Sequence, residues 1–369
     1  MFDIAIIGAG PAGATLARLL PPGYRTLLVD RRRLDRPFEP GTLAKPCGGL
    51  LAPAAQAELA RQGLGVPEGV AIGPQLFAVR TLDLAVGLEQ LYQRFYINVD
   101  REAFDRWLVS LAPPHVERGF GWSMHALSRD PEGAFLHFRT PGGGSAGVRA
   151  RLVIGAEGAN SIVRRLAFPS AASPARYVAM QAAFESVAAE PFYGAIFDER
   201  LTDYYGWTIP KGGELVIGAA FPSGADAGVR FDALVERLHH NGARFGGELS
   251  RRAAQIVRPA GLGDLVTGHG GVLLVGEAAG FISPSSGEGI SYALASAATL
   301  AQALRPGLSA AESRYRLACT PIAARVCAKR VKSSAIYGPT TRRLIMRSGL
   351  GAIVPSATGW RAYALPAGS

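Results

Sequence analysis

Short aliphatic runs alternate with helix-period segments at the start of the chain, near its middle and again after residue 270. Ile4–Ile7, Thr26–Asp30, Leu152–Gly155 and Val272–Gly276 are almost unbroken apolar stretches, which predict strands buried on both faces of a mostly parallel sheet. Ala12–Leu20, Arg101–Leu111 and Gly289–Leu304 repeat their apolar positions at helical spacing. Between about residues 175 and 265 the pattern changes. Tyr177–Phe184, Pro191–Asp198, Tyr204–Ile209 and Leu215–Phe221 predict antiparallel strands, with a turn at Lys211-Gly212-Gly213. Gly142-Gly143-Gly144-Ser145 predicts no more than a hairpin turn or loop. The expected architecture is α/β. A discontinuous first domain takes residues 1–75, 99–168 and 268–320, and a β-rich second domain takes 76–98 and 169–267. A basic helical segment, 321–369, ends the chain, and no internal repeat is found.

Composition narrows the class. The 369 residues are 48% hydrophobic and 18% charged, which suits globular cores and excludes a disordered chain. No run approaches the roughly 20 apolar residues of a spanning helix. Phe2–Ile7 enters a strand pattern with no basic leader or cleavage site, so a cytoplasmic protein is expected. Cys47, Cys319 and Cys327 make neither a disulfide framework nor a Cys-x-x-Cys metal knuckle. The six histidines fit no metal chemistry; His239 and His240 are sequence neighbours, not ligands at i, i+4 spacing.

The net charge of +10 sits at one end. No Asp or Glu follows Glu312, whereas Arg314, Arg316, Arg325, Lys329, Arg330, Lys332, Arg342, Arg343, Arg347 and Arg361 do. The excess therefore describes a C-terminal segment, not a nucleic-acid-binding body. Two readings of that segment stand. With Ile336, Leu344, Ile345, Met346 and Leu350 interleaved, it suits an anionic membrane surface, or it is a solvated helical face packed back on the protein.

Gly8-Ala9-Gly10-Pro11-Ala12-Gly13 follows a predicted strand and opens a helix, and Asp30 ends the next strand, followed by Arg31. Gly8 permits the tight turn, Gly10 lets backbone approach a pyrophosphate, and Gly13 lets the helix press on the sheet. The free N–H groups of the helix N-terminus attract the phosphates. Asp30 is placed to accept hydrogen bonds from an adenosine ribose. The fold is thus Rossmann-like, and this fingerprint alone serves NAD and FAD equally.

Further segments carry a resemblance. Gly276-Glu277-Ala278-Ala279-Gly280, with Pro284, Gly287, Glu288, Gly289 and Ile290 after it, resembles the second FAD motif of the aromatic-hydroxylase and geranylgeranyl-reductase superfamily, with Glu277 in place of Asp. Gly155-Ala156-Glu157-Gly158 through Ser161, Val163 and Arg164 is similar to that family's GADG-x-x-S-x-V-R, again with Glu157 for Asp. Arg101 through Asp105 resembles its R-x-x-F-D helix. Ala44-Lys45-Pro46-Cys47-Gly48-Gly49 resembles the K-x-C-G-G segment of geranylgeranyl reductases, and Tyr205-Gly206-Trp207-Thr208-Ile209-Pro210-Lys211 resembles their Y-x-W-x-F-P-K stretch. Lys45 through Pro53 and Gly276 through Ser283 look like the CbrA-type bacterial branch of that family.

The resemblance implies a p-hydroxybenzoate hydroxylase-like fold that binds FAD and carries an antiparallel substrate domain. It implies that Glu277 holds the ribityl chain, that Arg101 reaches the cofactor, and that Lys45, Cys47 and Gly48 pass beside the flavin. Glu157, Gly158, Gly276, Pro284, Gly287, Glu288, Gly289 and Ile290 join Gly8, Gly10, Pro11, Ala12, Gly13, Asp30 and Arg31 as expected cofactor contacts. Tyr205 and Trp207 are expected to line the substrate cavity, and Cys47 is the candidate acid or orienting group, with Lys45 contacting substrate or cofactor. The implied reaction is reduction of a carbon–carbon double bond in an isoprenoid or related lipid. NAD(P)H or another carrier would act as a transient reductant, because no second dinucleotide fingerprint exists. Two alternatives stay open: an NAD(P)H- and O₂-dependent monooxygenase or halogenase of a small aromatic, and an FAD-carrying lipid-binding protein without turnover.

Overall fold

The computed structural model describes residues 1–37, 46–187, 191–224 and 226–353. Its first sheet runs in the order Gly268–His269, Val272–Leu274, Ser145–Gly155, Phe2–Ile7, Thr26–Asp30, Glu117–Phe120. From Val272–Leu274 to Glu117–Phe120 all neighbours are parallel. Ile4, Ile6, Leu28, Val153, Ile154 and Leu273 are fully buried, which is why these strands read as continuous apolar runs. The helix Pro11–Leu19 begins on a proline, whose missing N–H costs nothing in a first turn. It packs with the alanine-rich helix Ile290–Leu304 on one face of the sheet.

The second sheet is the β-rich layer. Its order is Phe245–Arg258, Ala175–Ser186, Glu214–Pro222, Gly206–Lys211, Tyr193–Phe197, Leu76–Asp83, Leu88–Asn98 and Leu50–Leu51. Every pairing is antiparallel except that of Tyr193–Phe197 with Leu76–Asp83. The turn at Gly212-Gly213 joins two of these strands, and both glycines take positive φ. One face is covered by the helix Ala227–His240 through Phe231, Leu234 and Leu238. The other face is aromatic: Tyr177, Tyr193, Phe197, Tyr204 and Tyr205 form a separate cluster with Ile336 and Tyr337 from the C-terminal helices.

The structure departs from the sequence reading at one short strand and adds detail at the C-terminal helices. Leu50 and Leu51 pair with Asn98 and Ile97 and so extend the second sheet rather than the first. The segment after residue 320 forms the helices Thr320–Tyr337 and Pro339–Ser348, and the latter is bound tightly to the β-layer. Arg342 and Arg343 both donate to the fully buried Asp83 at 2.9 Å, and both reach Glu199. Burial pushes Asp83 up, but the hydrogen bonds from Arg343 and Arg342 outweigh it and hold the carboxyl below its usual range. Two of the ten C-terminal basic residues, Arg342 and Arg343, are therefore structural. Arg361 and the rest of residues 354–369 lie outside the described residues.

Candidate functional site

A cavity of about 1410 Å³ runs between the two sheets. Ordinary small-molecule pockets occupy roughly 300–1,000 Å³, so this one has room for a dinucleotide and a second ligand. At one end lie Gly8, Gly10, Pro11, Ala12, Asp30 and Arg31. Gly8 has φ of +102°, and a Cβ there would lie 2.6 Å from the Ala156 carbonyl oxygen. A Cβ on Gly13 would lie 1.8 Å from the Gly8 carbonyl oxygen, so Gly13 serves helix packing and stays behind the wall. Gly10 differs from both: a Cβ there would meet nothing within 4 Å. The space above it is cavity. Among the described residues no side chain caps the helix that follows, and its first turn has no acid. Uncapped N–H groups beside open space suit a pyrophosphate, and the residues present fit the adenosine half of FAD.

Asp30 lines the cavity, but its carboxylate already works within the protein. It accepts from the Ala9 N–H at 2.8 Å, from the Arg32 N–H at 2.8 Å and from the Arg32 guanidinium at 3.2 Å. Arg32 continues to Asp105 at 2.9 Å, and Asp105 accepts from Arg101 at 2.8 Å. The Arg101 side chain in turn reaches the Cys47 thiol. An alternating chain of charge thus lies along the wall from Asp30 to Cys47. Burial pushes Asp105 up, but Arg101 and Arg32 together hold it below the ordinary carboxylate range. Arg32 was not singled out from the sequence, and Asp105 entered only as the last residue of the Arg101–Asp105 segment, although its i, i+4 spacing from Arg101 was a usable signal for this pairing.

The second motif lies across the cavity. Glu277, Gly287, Glu288, Gly289 and Ile290 line it, while Gly276 and Pro284 sit behind it. Glu277 accepts from the Val257 N–H at 3.1 Å. Glu288 accepts from the Ser291 N–H and hydroxyl at 2.7 and 2.6 Å, which caps the long helix Ile290–Leu304. Gly276 and Gly287 adopt positive φ of 58° and 61°. Pro284 offers its carbonyl to Arg258 at 3.2 Å. In the third motif, Glu157 and Gly158 line the wall, yet Glu157 accepts from Ser161 at 2.8 Å and Val163 at 3.0 Å and so caps the helix Ile162–Ala167. Burial pushes the Glu157 carboxyl up. Arg164 from the same motif donates to the Ala278 and Asp264 carbonyls, which ties the third motif to the second.

Cys47 and Gly48 line the middle of the cavity; Lys45 lies outside the described residues. The loop Pro46–Gly49 is pressed against the second sheet. A Cβ on Gly48 would lie 2.4 Å from Ile209, and one on Gly49 would lie 2.3 Å from the Val99 carbonyl and 2.7 Å from Lys211 Nζ. Lys211 donates to the Val99 carbonyl at 2.6 Å. Burial pulls its ammonium down to about 8, against the raising effect of Cys47 and Asp100. The Cys47 thiol therefore faces two cationic side chains, Arg101 and Lys211, of which only Arg101 was given a role from the sequence.

Beyond Cys47 the cavity becomes aromatic. Tyr205 and Trp207 line it together with Tyr96, Tyr193, Phe197, Tyr204 and Tyr337. Tyr193 donates to Tyr205 at 3.2 Å, Tyr205 donates to the Ser286 carbonyl at 2.6 Å, and Tyr337 donates to the Ser285 carbonyl at 3.0 Å. Burial pushes the Tyr193, Tyr205 and Tyr337 hydroxyls well up, so they remain neutral donors. The Trp207 ring occupies the space left by Gly218, where a Cβ would lie 2.3 Å from the indole. Its Nε1–H has no hydrogen-bond partner among the described residues.

Comparison with known proteins places the chain. No family model matches it. It is 40% identical over 351 residues to Protein CbrA of Escherichia coli O6:H1 (strain CFT073), covering 95% of this chain and 94% of that one. Protein CbrA of Shigella sonnei (strain Ss046) is likewise 40% identical, with 95% and 97% covered. The chain belongs to the CbrA family. Among solved structures, this CbrA family member is similar to a geranylgeranyl bacteriochlorophyll reductase-like protein from Thermoplasma acidophilum, with a TM-score of 0.78 and 20% identity over 93% of this chain and 89% of that one. It is also similar to PqsL, a probable FAD-dependent monooxygenase from Pseudomonas aeruginosa, with a TM-score of 0.68 and 20% identity over 95% and 99%. These likenesses establish the FAD-binding flavoprotein fold with its curled second sheet and C-terminal helices.

Proposed function

We propose that this CbrA family member is an FAD-dependent oxidoreductase that reduces carbon–carbon double bonds of an isoprenoid or related lipid. One observation carries the reading: the open space over Gly10 and the aromatic chamber at Tyr205 and Trp207 are parts of one cavity, with Cys47 between them. FAD bound and reduced in such a cavity supplies hydride to one carbon of an alkene.

The chain's own residues do the rest. Gly8, Gly10 and the helix N-terminus at Pro11 hold the pyrophosphate, and the Ser283–Gly289 loop closes over the far end. Tyr193, Phe197, Tyr204, Tyr205 and Trp207 form a wall that takes up an apolar chain, excludes water and fixes the alkene's position. Cys47 holds the proton for the second carbon, with Arg101 and Lys211 beside it to take up the charge left on sulfur. NAD(P)H or another carrier enters transiently as reductant. A lipid substrate also suits the C-terminal helices, where Leu344 and Leu350 are exposed among Lys332 and Arg347, a composition compatible with an anionic bilayer.

Anaerobic mixing of the reduced holoprotein with polyprenyl compounds tests the reading. Reoxidation of the flavin by the alkene is the expected outcome. NAD(P)H consumption that needs O₂ and is stimulated by a phenol would replace it with hydroxylation. A flavin that stays reduced with every alkene would leave a lipid-binding protein.

A further inference from the structure

Cys47 faces two cations, and a thiol so placed ordinarily gives up its proton. Arginine and lysine neighbours favour the thiolate and lower the pH at which it forms. A thiolate at neutral pH has no proton to donate, whereas reduction of an alkene requires one at the second carbon. The two cations differ. Burial pulls the Lys211 ammonium down to about 8, so its charge fades above that pH. The Arg101 guanidinium stays charged throughout. Its charge must be met by another group if Cys47 is to remain a thiol.

Asp105 meets it. This carboxylate is almost fully buried and accepts from Nε of Arg101 at 2.8 Å and from Nη2 at 3.4 Å, so it engages one edge of the guanidinium. It also accepts from Nη1 of Arg32 at 2.9 Å. Burial pushes the Asp105 carboxyl up, but Arg101 and then Arg32 hold it down, so it is ionised at neutral pH. Around it Asp30, Glu102 and Asp105 stand against Arg32, Arg101 and Arg106, a set in which the charges balance. On the other side of the thiol, Asp100 offsets part of the Lys211 charge. The Gly49 N–H points at the Cys47 sulfur from 3.5 Å.

Helix stability does not account for the Arg101–Asp105 pair. Arg101 stands in the first turn of the helix Arg101–Ser110, at the positive end of its dipole, where an acid is favoured. An arginine there with its acid one turn later runs opposite to the better order. What the arrangement does achieve is to put a compensated guanidinium against Cys47 in the cavity wall.

We propose that Asp105 is a positioning residue that keeps Cys47 protonated, by taking up the Arg101 charge that would otherwise ionise the thiol. The role rests on the reductase reading, in which Cys47 supplies the proton, and adds to it the group that holds that proton in place.

The FAD-loaded full chain is alkylated with iodoacetamide over a range of pH. The Cys47 peptide is followed by mass, so that Cys319 and Cys327 do not contribute. In the parent protein the midpoint is expected at or above about 8, close to that of an ordinary thiol. Asp105→Asn keeps the shape and removes the charge, and its midpoint is expected to fall by at least about one pH unit. Arg32→Gln leaves Asp105 in place with one cation fewer, and its midpoint is expected to rise. Flavin reoxidation by alkene should slow at least about tenfold in Asp105→Asn at neutral pH and recover as the pH is lowered. A loss of the same size at every pH would make Asp105 merely structural and overturn the proposal. A parent midpoint below about 7, with the thiol already ionised at neutral pH, also overturns it. So do midpoints that neither variant moves. If Asp105→Asn fails to fold, the parent midpoint and Arg32→Gln decide: a fall or no change in Arg32→Gln sinks the proposal. Shifted midpoints without reoxidation by any alkene keep the role of Asp105 and remove the reductase, whereas reoxidation with unshifted midpoints does the reverse.

Discussion

Tyr205 donates a 2.6 Å hydrogen bond to the carbonyl oxygen of Ser286. Tyr205 belongs to the wall of the aromatic chamber, and Ser286 precedes the glycine pair of the second cofactor motif. This contact ties the loop of the second cofactor motif directly to the aromatic wall. Tyr205→Phe removes the donor and leaves the Ser286 carbonyl and the buried Tyr193 hydroxyl short of a partner. A stability loss of about 1–2 kcal/mol is expected in denaturant titration. FAD should also leave several-fold faster in a dilution assay. Equal off-rates in the two proteins would show that the loop is held by Tyr337 and Arg258 without Tyr205.

Gly10→Val separates folding from cofactor binding. A Cβ at Gly10 meets no protein atom within 4 Å, and its φ of −72° suits any residue. The variant is expected to fold with an unchanged far-ultraviolet spectrum and a melting temperature close to that of the flavin-free parent. Its visible absorbance should be lost, because the branched side chain fills the pyrophosphate space. Gly13→Ala should behave differently and fail to fold well, since its Cβ would collide with the Gly8 carbonyl.

Lys211 makes stability depend on alkaline pH. Its folded value of about 8 lies below the ordinary 10.5. Between those values the unfolded chain binds more protons than the folded one, so unfolding free energy rises with pH across that interval. The contribution approaches ~3 kcal/mol at its upper end. Lys211→Met should flatten the rise when the two proteins are compared by urea unfolding from pH 7 to 10. Parallel curves would place the Lys211 ammonium in solvent.

Cys47→Ala tests the proton donor. If the thiol supplies the proton, flavin reoxidation by alkene should slow by roughly 10²–10⁴-fold while FAD remains bound. Cys47→Ser should recover only part of the rate. An unchanged rate in Cys47→Ala would move the acid elsewhere, with the Trp207 and Tyr205 side of the chamber as the next place to look.

How much of this was legible in the sequence depends on how local each feature is. The strand, the Gly8–Gly13 turn, the helix and Asp30 lie within thirty residues, and each glycine has a separate steric setting, so spacing alone brought out a turn that borders the cavity. Tyr205 and Trp207 stood out because one strand carries both on a recognisable stretch. The motif acids show the limit of such reading. Spacing does not distinguish a carboxylate that holds a ligand from one that caps a helix, and Glu157 and Glu288 both cap helices here. Other features come from segments that meet only after folding. Asp83 and Arg342 are 259 residues apart, and their pairing turns apparently surplus basic charge into a buried anchor. Arg94 sits on a β-hairpin and Lys329 on a helix near the other end of the chain, yet both line the cavity, and no periodicity in either segment announces that.

The most direct test of the proposed chemistry is the mass of the lipid recovered after one anaerobic turnover with reduced holoprotein. Reduction predicts a product heavier by two hydrogens, formed in proportion to the flavin oxidised. Unchanged lipid beside fully reduced flavin, or a product that appears only with O₂ and is heavier by one oxygen, would contradict it.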